Sequence, residues 1–352
     1  MYYVGLDIHK KYCISAVMDK EGKMIYRGRI ESKPEALRQY FKGLEEPCHV
    51  AMEACYNWGY FLDVLENVTE EISLAHPLKT RLIAEARIKT DAIDAKVLAD
   101  LLRTNLLPLA YIPCPETRRL KNFLRYRAGL AAMNTQVKNK IHALLDQHEF
   151  AEKETLAQLS DLFGKQGRSL LPGVILPGQD TQIPRSWMGL WEHVHQDILK
   201  ADVWIRHHAK EDPLSSLLKT IPGIGDQFAL LVRYEIDDIQ RFHTAKKLVS
   251  YAGLAPSTYS SGGKTRHGGI TKQGNKWLRW AFVEAAQKAP LTSPYFKQYY
   301  ERIKDRAGWD RARVATARKI AEAVFGVMKN QQIYQEYLLG QLPSNGSSRL
   351  AA

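Results

Sequence analysis

Cysteine is scarce in this chain of 352 residues: Cys13, Cys48, Cys55 and Cys114 show neither Cys-x-x-Cys pairing nor a histidine at finger spacing. That excludes a disulfide framework or a zinc finger and fits free thiols in a reducing compartment. The adjacent His207 and His208 lack Cys or carboxylate ligands at zinc spacing and are expected at the surface. No apolar run reaches membrane-spanning length and no secretory leader pattern is found, so a cytoplasmic protein is expected. Negative charge is also in short supply. Fifty Lys and Arg stand against 38 Asp and Glu, a formal net charge of +12. The imbalance is steepest from Ile239 to Val283, which holds eight Lys or Arg and no Asp or Glu. Such a surplus attracts polyanions and releases their counterions, so nucleic acid is the expected partner.

The acids that are present fall in telling places. Tyr2 to Ile8 is a short run rich in β-formers that carries Asp7 near its end, and His49 to Ala54 repeats the design with Glu53. Lys89-Thr90-Asp91-Ala92-Ile93-Asp94-Ala95 opens a helix whose apolar residues recur at helical spacing through Leu102. Asp91 and Asp94 then project from one face, about one turn apart. Taken alone, acids there cap a helix and complement its dipole, and either Thr90 or Asp91 is a fitting N-cap. Joined by two strand-borne carboxylates, they form a set of hard oxygen ligands suited to divalent cations. Two such ions would stabilise the attacking and leaving oxygens of a phosphodiester.

At this length two or more domains are expected. Strands are predicted at 2–8, 12–19 and 23–30, a helix at 34–44, the strand ending at Glu53, a helix at 60–66, a strand at 71–75 and the Asp91 helix. That order is the order of the ribonuclease-H-like fold. Pro108, Pro113 and Pro115 mark a linker. A long basic helix over 116–148 suggests a coiled-coil arm, with a second helix at 186–211 returning antiparallel and an irregular loop at 166–187 between. Pro222-Gly223-Ile224-Gly225 resembles the turn of a helix-hairpin-helix, which aims helix-start amides at a DNA phosphate without reading sequence. Lys246, Lys247, Lys264, Arg266, Lys272, Lys276 and Arg279 follow as candidate phosphate contacts. Among them Tyr259 to Lys264 is expected to be a flexible polar loop, and helices are predicted through Trp277 and over 311–329.

Asp7, Glu53, Asp91 and Asp94 in front, with Pro222-Gly223-Ile224-Gly225, Tyr251-Ala252-Gly253-Leu254-Ala255-Pro256, Ser260-Ser261-Gly262 and Gly274-Asn275 behind, carry a family resemblance. The chain resembles the DEDD-type insertion-sequence transposases of the family numbered one hundred and ten, related to the Piv DNA invertases, from Met1 to about Asn330. The resemblance implies an α/β plus all-α protein. A ribonuclease-H-like (RuvC-like) catalytic domain would span 1–107, a helical coiled-coil connector 108–212, and a mostly helical transposase domain 213–335; the polar composition of the end of the chain predicts a disordered tail over 336–352. It further implies Mg²⁺ on the four acids and Ser261 as a nucleophile that joins covalently to DNA. A structured noncoding guide RNA and a bacterial or archaeal nucleoid setting follow from the same source, and because the acids and Ser261 fall in different domains a homo-oligomer, dimer or tetramer, is expected to bring them together. One departure is that Glu53-Ala54 is followed by Cys55-Tyr56 where the family commonly has a small residue and then glycine. Ser257 and Ser260 stand close enough to compete with Ser261.

Two rival functions remain compatible with the residues. A metal-dependent nuclease or Holliday-junction resolvase would use the acids to activate water and leave Ser261 structural. An architectural DNA-binding protein would use only the basic surface, although such a binder gains nothing electrostatically from convergent acids.

Overall fold

A computed structural model describes residues 1–83, 90–261 and 264–335, apart from the side chains of Ser261, Lys264, Thr265 and His267. Lys89, Gly262 and the tail over 336–352, all part of the sequence reading, lie outside the described residues. The chain divides into two compact units, Met1–Pro113 and Cys114–Ala352.

The first unit is built on a five-stranded sheet. Its elements are β1 (Tyr2–Ile8), β2 (Tyr12–Met18), β3 (Met24–Glu31), α1 (Pro34–Lys42), β4 (Cys48–Glu53), α2 (Trp58–Leu65), β5 (Glu71–Ala75), α3 (Pro77–Ile83) and α4 (Asp91–Arg103). The sheet order is β3-β2-β1-β4-β5, antiparallel through β1–β3 and parallel from β1 to β5. This mixed sheet with covering helices is compatible with a ribonuclease-H-like domain. Strand alternation sorts the side chains by face. Val4, Leu6, Val50, Met52 and Leu74 face α1 and α2 and join the core with Leu37, Phe41, Phe61 and Leu65. Tyr3, Ala51 and Ala75 face the other way and pack with Leu98, Leu101 and Leu102 of α4.

Gly5, on that second face, is glycine for a reason. A Cβ added at Gly5 would overlap the Ala95 carbonyl and stand 2.6 Å from the Ala99 nitrogen, so α4 rests directly on the backbone of β1. Ala95 and Ala99 are fully buried there. This close approach decides where the helix start falls, and therefore where Asp91 points.

The second unit contains α5 (Pro115–Asp146), α6 (Lys153–Ala157), α7 (Lys165–Leu170), α8 (Ile183–Glu211), α9 (Pro213–Leu218), α10 (Asp226–Ile236), α11 (Ala245–Tyr251), β6 (Pro256–Ser261), β7 (Lys264–Ile270), α12 (Lys276–Thr292), α13 (Pro294–Ala307) and α14 (Trp309–Asn330). Leu124 clusters with Ile205 and Ala209, Leu130 with Val194 and Ile198, and Val137 and Ile141 with Trp191 and Met188. Numbers that rise along α5 while falling along α8 mean an antiparallel pair, as the apolar spacing predicts. Two expectations are corrected. The irregular loop expected at 166–187 is α7, two 3₁₀ turns and the start of α8, because Leu171, Val174 and Leu176 bury against Trp191. Of the flexible loop expected from Tyr259 to Lys264, Tyr259, Ser260 and Ser261 are the end of β6 and Lys264 opens β7, while Gly262 and Gly263 lie outside the described residues. A hairpin with little apolar burial carries no period-two hydrophobic signal, so the strands were invisible as a pattern.

A buried ionic knot holds this unit together. Glu235 of α10 is fully buried, and Arg125 donates to it from Nε at 2.6 Å and from a terminal nitrogen at 2.9 Å. Lys121 lies at 3.4 Å, and the Asn275 amide donates at 2.7 Å. Asn275 also caps α12, its Oδ1 accepting from Trp277 and Leu278 amides. Burial alone would raise the Glu235 pKa, but the Arg125 bonds, the Lys121 charge and the Asn275 amide outweigh it, and the net shift is downward. A depressed carboxyl contributes stability that is present above its unfolded pKa and lost as pH falls through its folded one. Glu235→Gln leaves two cations without their counter-charge, at an expected cost of about 3 kcal/mol or more. Urea unfolding at pH 7 checks this, and the gap between variant and wild type narrows as the buffer is taken below the ordinary carboxylate range.

Candidate active site

Leu6 pairs with Met52 across the parallel β1 and β4, so the next positions, Asp7 and Glu53, lie side by side where the strands end. Alternation puts both on the face that carries α4, two residues beyond Gly5 and Ala51 respectively. Asp91 stands one turn before Ala95, the residue seated on Gly5, so it is directed toward the same strand ends. The α4 cap is Thr90, whose hydroxyl accepts from the Ile93 amide at 3.3 Å. That settles the choice of cap and releases Asp91 from capping.

Asp91 is engaged across the sheet instead. Tyr12 donates its hydroxyl to Asp91 Oδ2 at 3.2 Å. His9 Nε2 lies 3.1 Å from Asp7 Oδ2 and 3.1 Å from Asp91 Oδ2. One ligand atom from each of Asp7, His9 and Asp91 can be chosen so that all lie within 4.8 Å of one another. Burial raises the Asp7 pKa, His9 opposes it, and the charges of Asp91 and Asp94 push it further up. The three side chains brought together are thus Asp7, His9 and Asp91; Asp94 acts on Asp7 through its charge, and Glu53, beside Asp7 at the strand ends, is exposed. A half-buried carboxyl crowded by other acids is the donor set that a divalent cation relieves, so the residues present fit a metal. Cys55 lies close enough for Glu53 and Asp7 to raise its pKa further, after burial, and its thiol donates to Asn57 Oδ1 at 3.0 Å. The departure at Cys55 thus sits beside the acids and leaves them in place.

His9 and Tyr12 escaped the sequence reading. The available signal was period two: His9 follows Asp7 by two positions and keeps its face, in the tight turn closed by the His9 amide on the Tyr12 carbonyl.

In the second unit, the base of the β6–β7 hairpin is tied down by the glycine motifs. Gly253 and Gly274 have φ of +69° and +122°, and a Cβ at Gly274 would overlap the Tyr251 carbonyl. The Asn275 backbone N–H donates to that same carbonyl at 2.6 Å, and the Lys272 backbone N–H to the Gly253 carbonyl at 3.2 Å. Arg279, half-buried, donates from one terminal nitrogen to the Ala252 and Lys272 carbonyls. Ser261 is the last residue of β6, its backbone in register with Lys264. Ser257 donates its hydroxyl to the Gly269 carbonyl at 3.0 Å, which occupies one of Ser261's competitors. Lys246, Lys247, Arg266, Lys272 and Lys276 are exposed, while the Lys264 side chain lies outside the described residues. The two glycines between α9 and α10 differ in kind. Gly223, at φ +87°, presses on the Ala285 carbonyl of α12, whereas Gly225, the α10 N-cap, has open space where a Cβ would be. Gly225 is thus the one against which a phosphate can approach the helix start. Among the described residues no helix is long and apolar enough to cross a membrane.

Carboxylates gathered at the ends of sheet strands in one unit, and exposed Lys and Arg side chains in and beside a hairpin in the other, fit a polynucleotide-processing class of protein. Residues 4–150 match the DEDD transposase family model of the IS110 group, and residues 215–301 match the model described as the transposase IS116/IS110/IS902 family. The chain belongs to that transposase family, whose members are enzymes that cut and rejoin DNA. It is 25% identical over 350 residues to the transposase for insertion sequence element IS1111A of Coxiella burnetii, covering 94% of this chain and 91% of that protein. A probable family 20 transposase of Pseudomonas aeruginosa is 24% identical, with 81% and 82% covered, and the insertion element IS110 protein of Streptomyces coelicolor 25% identical, with 95% of each covered. The DEDD domain implies dependence on a divalent metal.

Proposed function

We propose that this transposase moves a mobile element by a serine recombinase reaction, directed by a structured noncoding RNA and assisted by Mg²⁺ on Asp7, Glu53, Asp91 and Asp94. The observation that carries the metal half is Asp91: with Thr90 as the cap, its carboxylate is turned toward Asp7 across α4 and β1. A bound cation would supply charge neutralisation at the phosphate and at the departing oxygen. Ser261 Oγ loses its proton and bonds to phosphorus while the bond from phosphorus to the deoxyribose oxygen breaks; that oxygen takes up a proton. The serine ester retains the phosphodiester's bond energy, and attack by the hydroxyl end of another strand releases Ser261 and rejoins the DNA. Lys246, Lys247, Lys264, Arg266, Lys272 and Lys276, with the Gly223 to Gly225 turn, hold backbone phosphates, while base pairing with the RNA selects sequence.

In this reading residues 1–107 are the metal-binding catalytic domain, 108–212 a coiled-coil connector and 213–335 the serine-bearing domain. The protein acts as a homo-oligomer on cytoplasmic DNA. Purified protein given donor DNA, target DNA and a transcript of the element's noncoding flank is expected to yield rejoined strands only with the transcript. Strand exchange of equal extent without RNA contradicts the guidance, and hydrolysed ends alone would assign a nuclease.

A further inference from the structure

We propose that His9 is a ligand of the same centre, which makes it a mixed carboxylate and imidazole site with a preference for Mn²⁺ over Mg²⁺. The inference rests on the metal reading of Asp7 and Asp91. Its geometric ground is that Nε2 is equidistant, at 3.1 Å, from Asp7 Oδ2 and Asp91 Oδ2. Ligands at about 2.1 Å from an octahedral ion stand about 3.0 Å apart along each cis edge, so the observed spacing is that of two adjacent edges of one coordination shell. A hydrogen bond accounts for only one of the two contacts, because the single Nε2 proton serves Asp7 Oδ2 and leaves Asp91 Oδ2, at the same distance, without one. An ion in place of that proton meets all three atoms at once.

The surroundings hold the ring for this task. His9 stands at the mouth of the β1–β2 turn, closed by its own amide on the Tyr12 carbonyl at 2.9 Å. Its ring lies 4.7 Å from the Tyr12 ring, centroid to centroid, and Tyr12 in turn donates to Asp91. The side chain that orients the imidazole therefore also fixes one of its carboxylate neighbours, and this second contact shell is what keeps a donor set together. Oxygen donors suit Mg²⁺ and Mn²⁺ alike, whereas an imidazole nitrogen adds affinity for the softer Mn²⁺ and little for Mg²⁺.

The test uses the intact, metal-free protein and Mn²⁺ itself. Pulsed electron paramagnetic resonance of the bound Mn²⁺ is expected to show nitrogen coupling from a directly bound imidazole. In His9→Gln the coupling is lost and the Mn²⁺ dissociation constant rises by about tenfold, while that for Mg²⁺ changes by less than about threefold. His9→Asp, with oxygen in place of nitrogen, binds both ions without the Mn²⁺ preference. Mn²⁺ binding without nitrogen coupling, or a preference undiminished in both variants, overturns the assignment of His9. Binding unaffected by Asp7→Asn and Asp91→Asn overturns the metal reading beneath it. Because the coupling is read in the unaltered protein, a variant that fails to fold leaves the decisive measurement standing.

Discussion

Asp7→Asn lowers DNA strand cleavage by about 10³-fold or more at saturating Mg²⁺, and does so without unfolding the protein. A ligand carboxylate contributes several kcal/mol of charge stabilisation in the transition state, and about 4 kcal/mol corresponds to three decades of rate. The exchange is isosteric, so the packing of Gly5 against Ala95 and of Val4 and Leu6 in the opposite core is untouched. In metal-free buffer the variant melts at or above the wild-type temperature. The folded protein disfavours the Asp7 charge through burial and through Asp91 and Asp94, more than His9 compensates, and the amide removes that cost. Adding Mg²⁺ reverses the order. A ligand at a hundred times its dissociation constant stabilises the folded state by about 2.7 kcal/mol, a gain the wild type realises and the variant does not. Loss of activity together with loss of folding in metal-free buffer would mean that Asp7 is structural. Calorimetry with and without Mg²⁺ beside a cleavage assay separates the cases.

Much of the first unit could be read from the sequence because its signals are local. The β-rich runs ending at Asp7 and Glu53, and the apolar period after Asp94, give β1, β4 and α4 to within a residue or two. Their mutual position could not be read, because it depends on Gly5, whose missing Cβ lets α4 settle on β1. In the sequence that glycine looks like an interruption of a strand rather than the contact that aims Asp91. Glu235 was hidden for another reason. It sits in an ordinary helical pattern, and its partners Arg125 and Asn275 are 110 and 40 positions away. Nothing within a turn of it marks a buried charge. Charge counting in the basic stretch after Ile239 cannot tell exposed Lys246 from half-buried Arg279, one of whose terminal nitrogens donates to backbone carbonyls. The folding of 166–187 was missed because Gly and Pro there punctuate short turns that bury Leu171, Val174 and Leu176, not an open loop.

Ser261→Ala is expected to reduce strand exchange by about 10⁴-fold or more, since removing a nucleophile abolishes the covalent route and leaves only background reaction. The hydroxyl is the only group changed, on a residue that closes the β6–β7 pairing through its backbone, so the hairpin base at Gly253, Gly274 and Asn275 is retained. DNA binding, carried by exposed Lys246, Lys247, Arg266, Lys272 and Lys276, stays within about threefold of wild type. The measurement that bears most directly on the reaction is denaturing electrophoresis of protein mixed with labelled DNA nicked near the cleavage point, so that the cut strand diffuses away before it can be rejoined. Wild-type protein should carry the label as a covalent adduct whose DNA-bearing peptide contains Ser261, and Ser261→Ala should carry none. Cleaved DNA with no adduct in the wild type, or an undiminished adduct in Ser261→Ala, would contradict the proposed reaction.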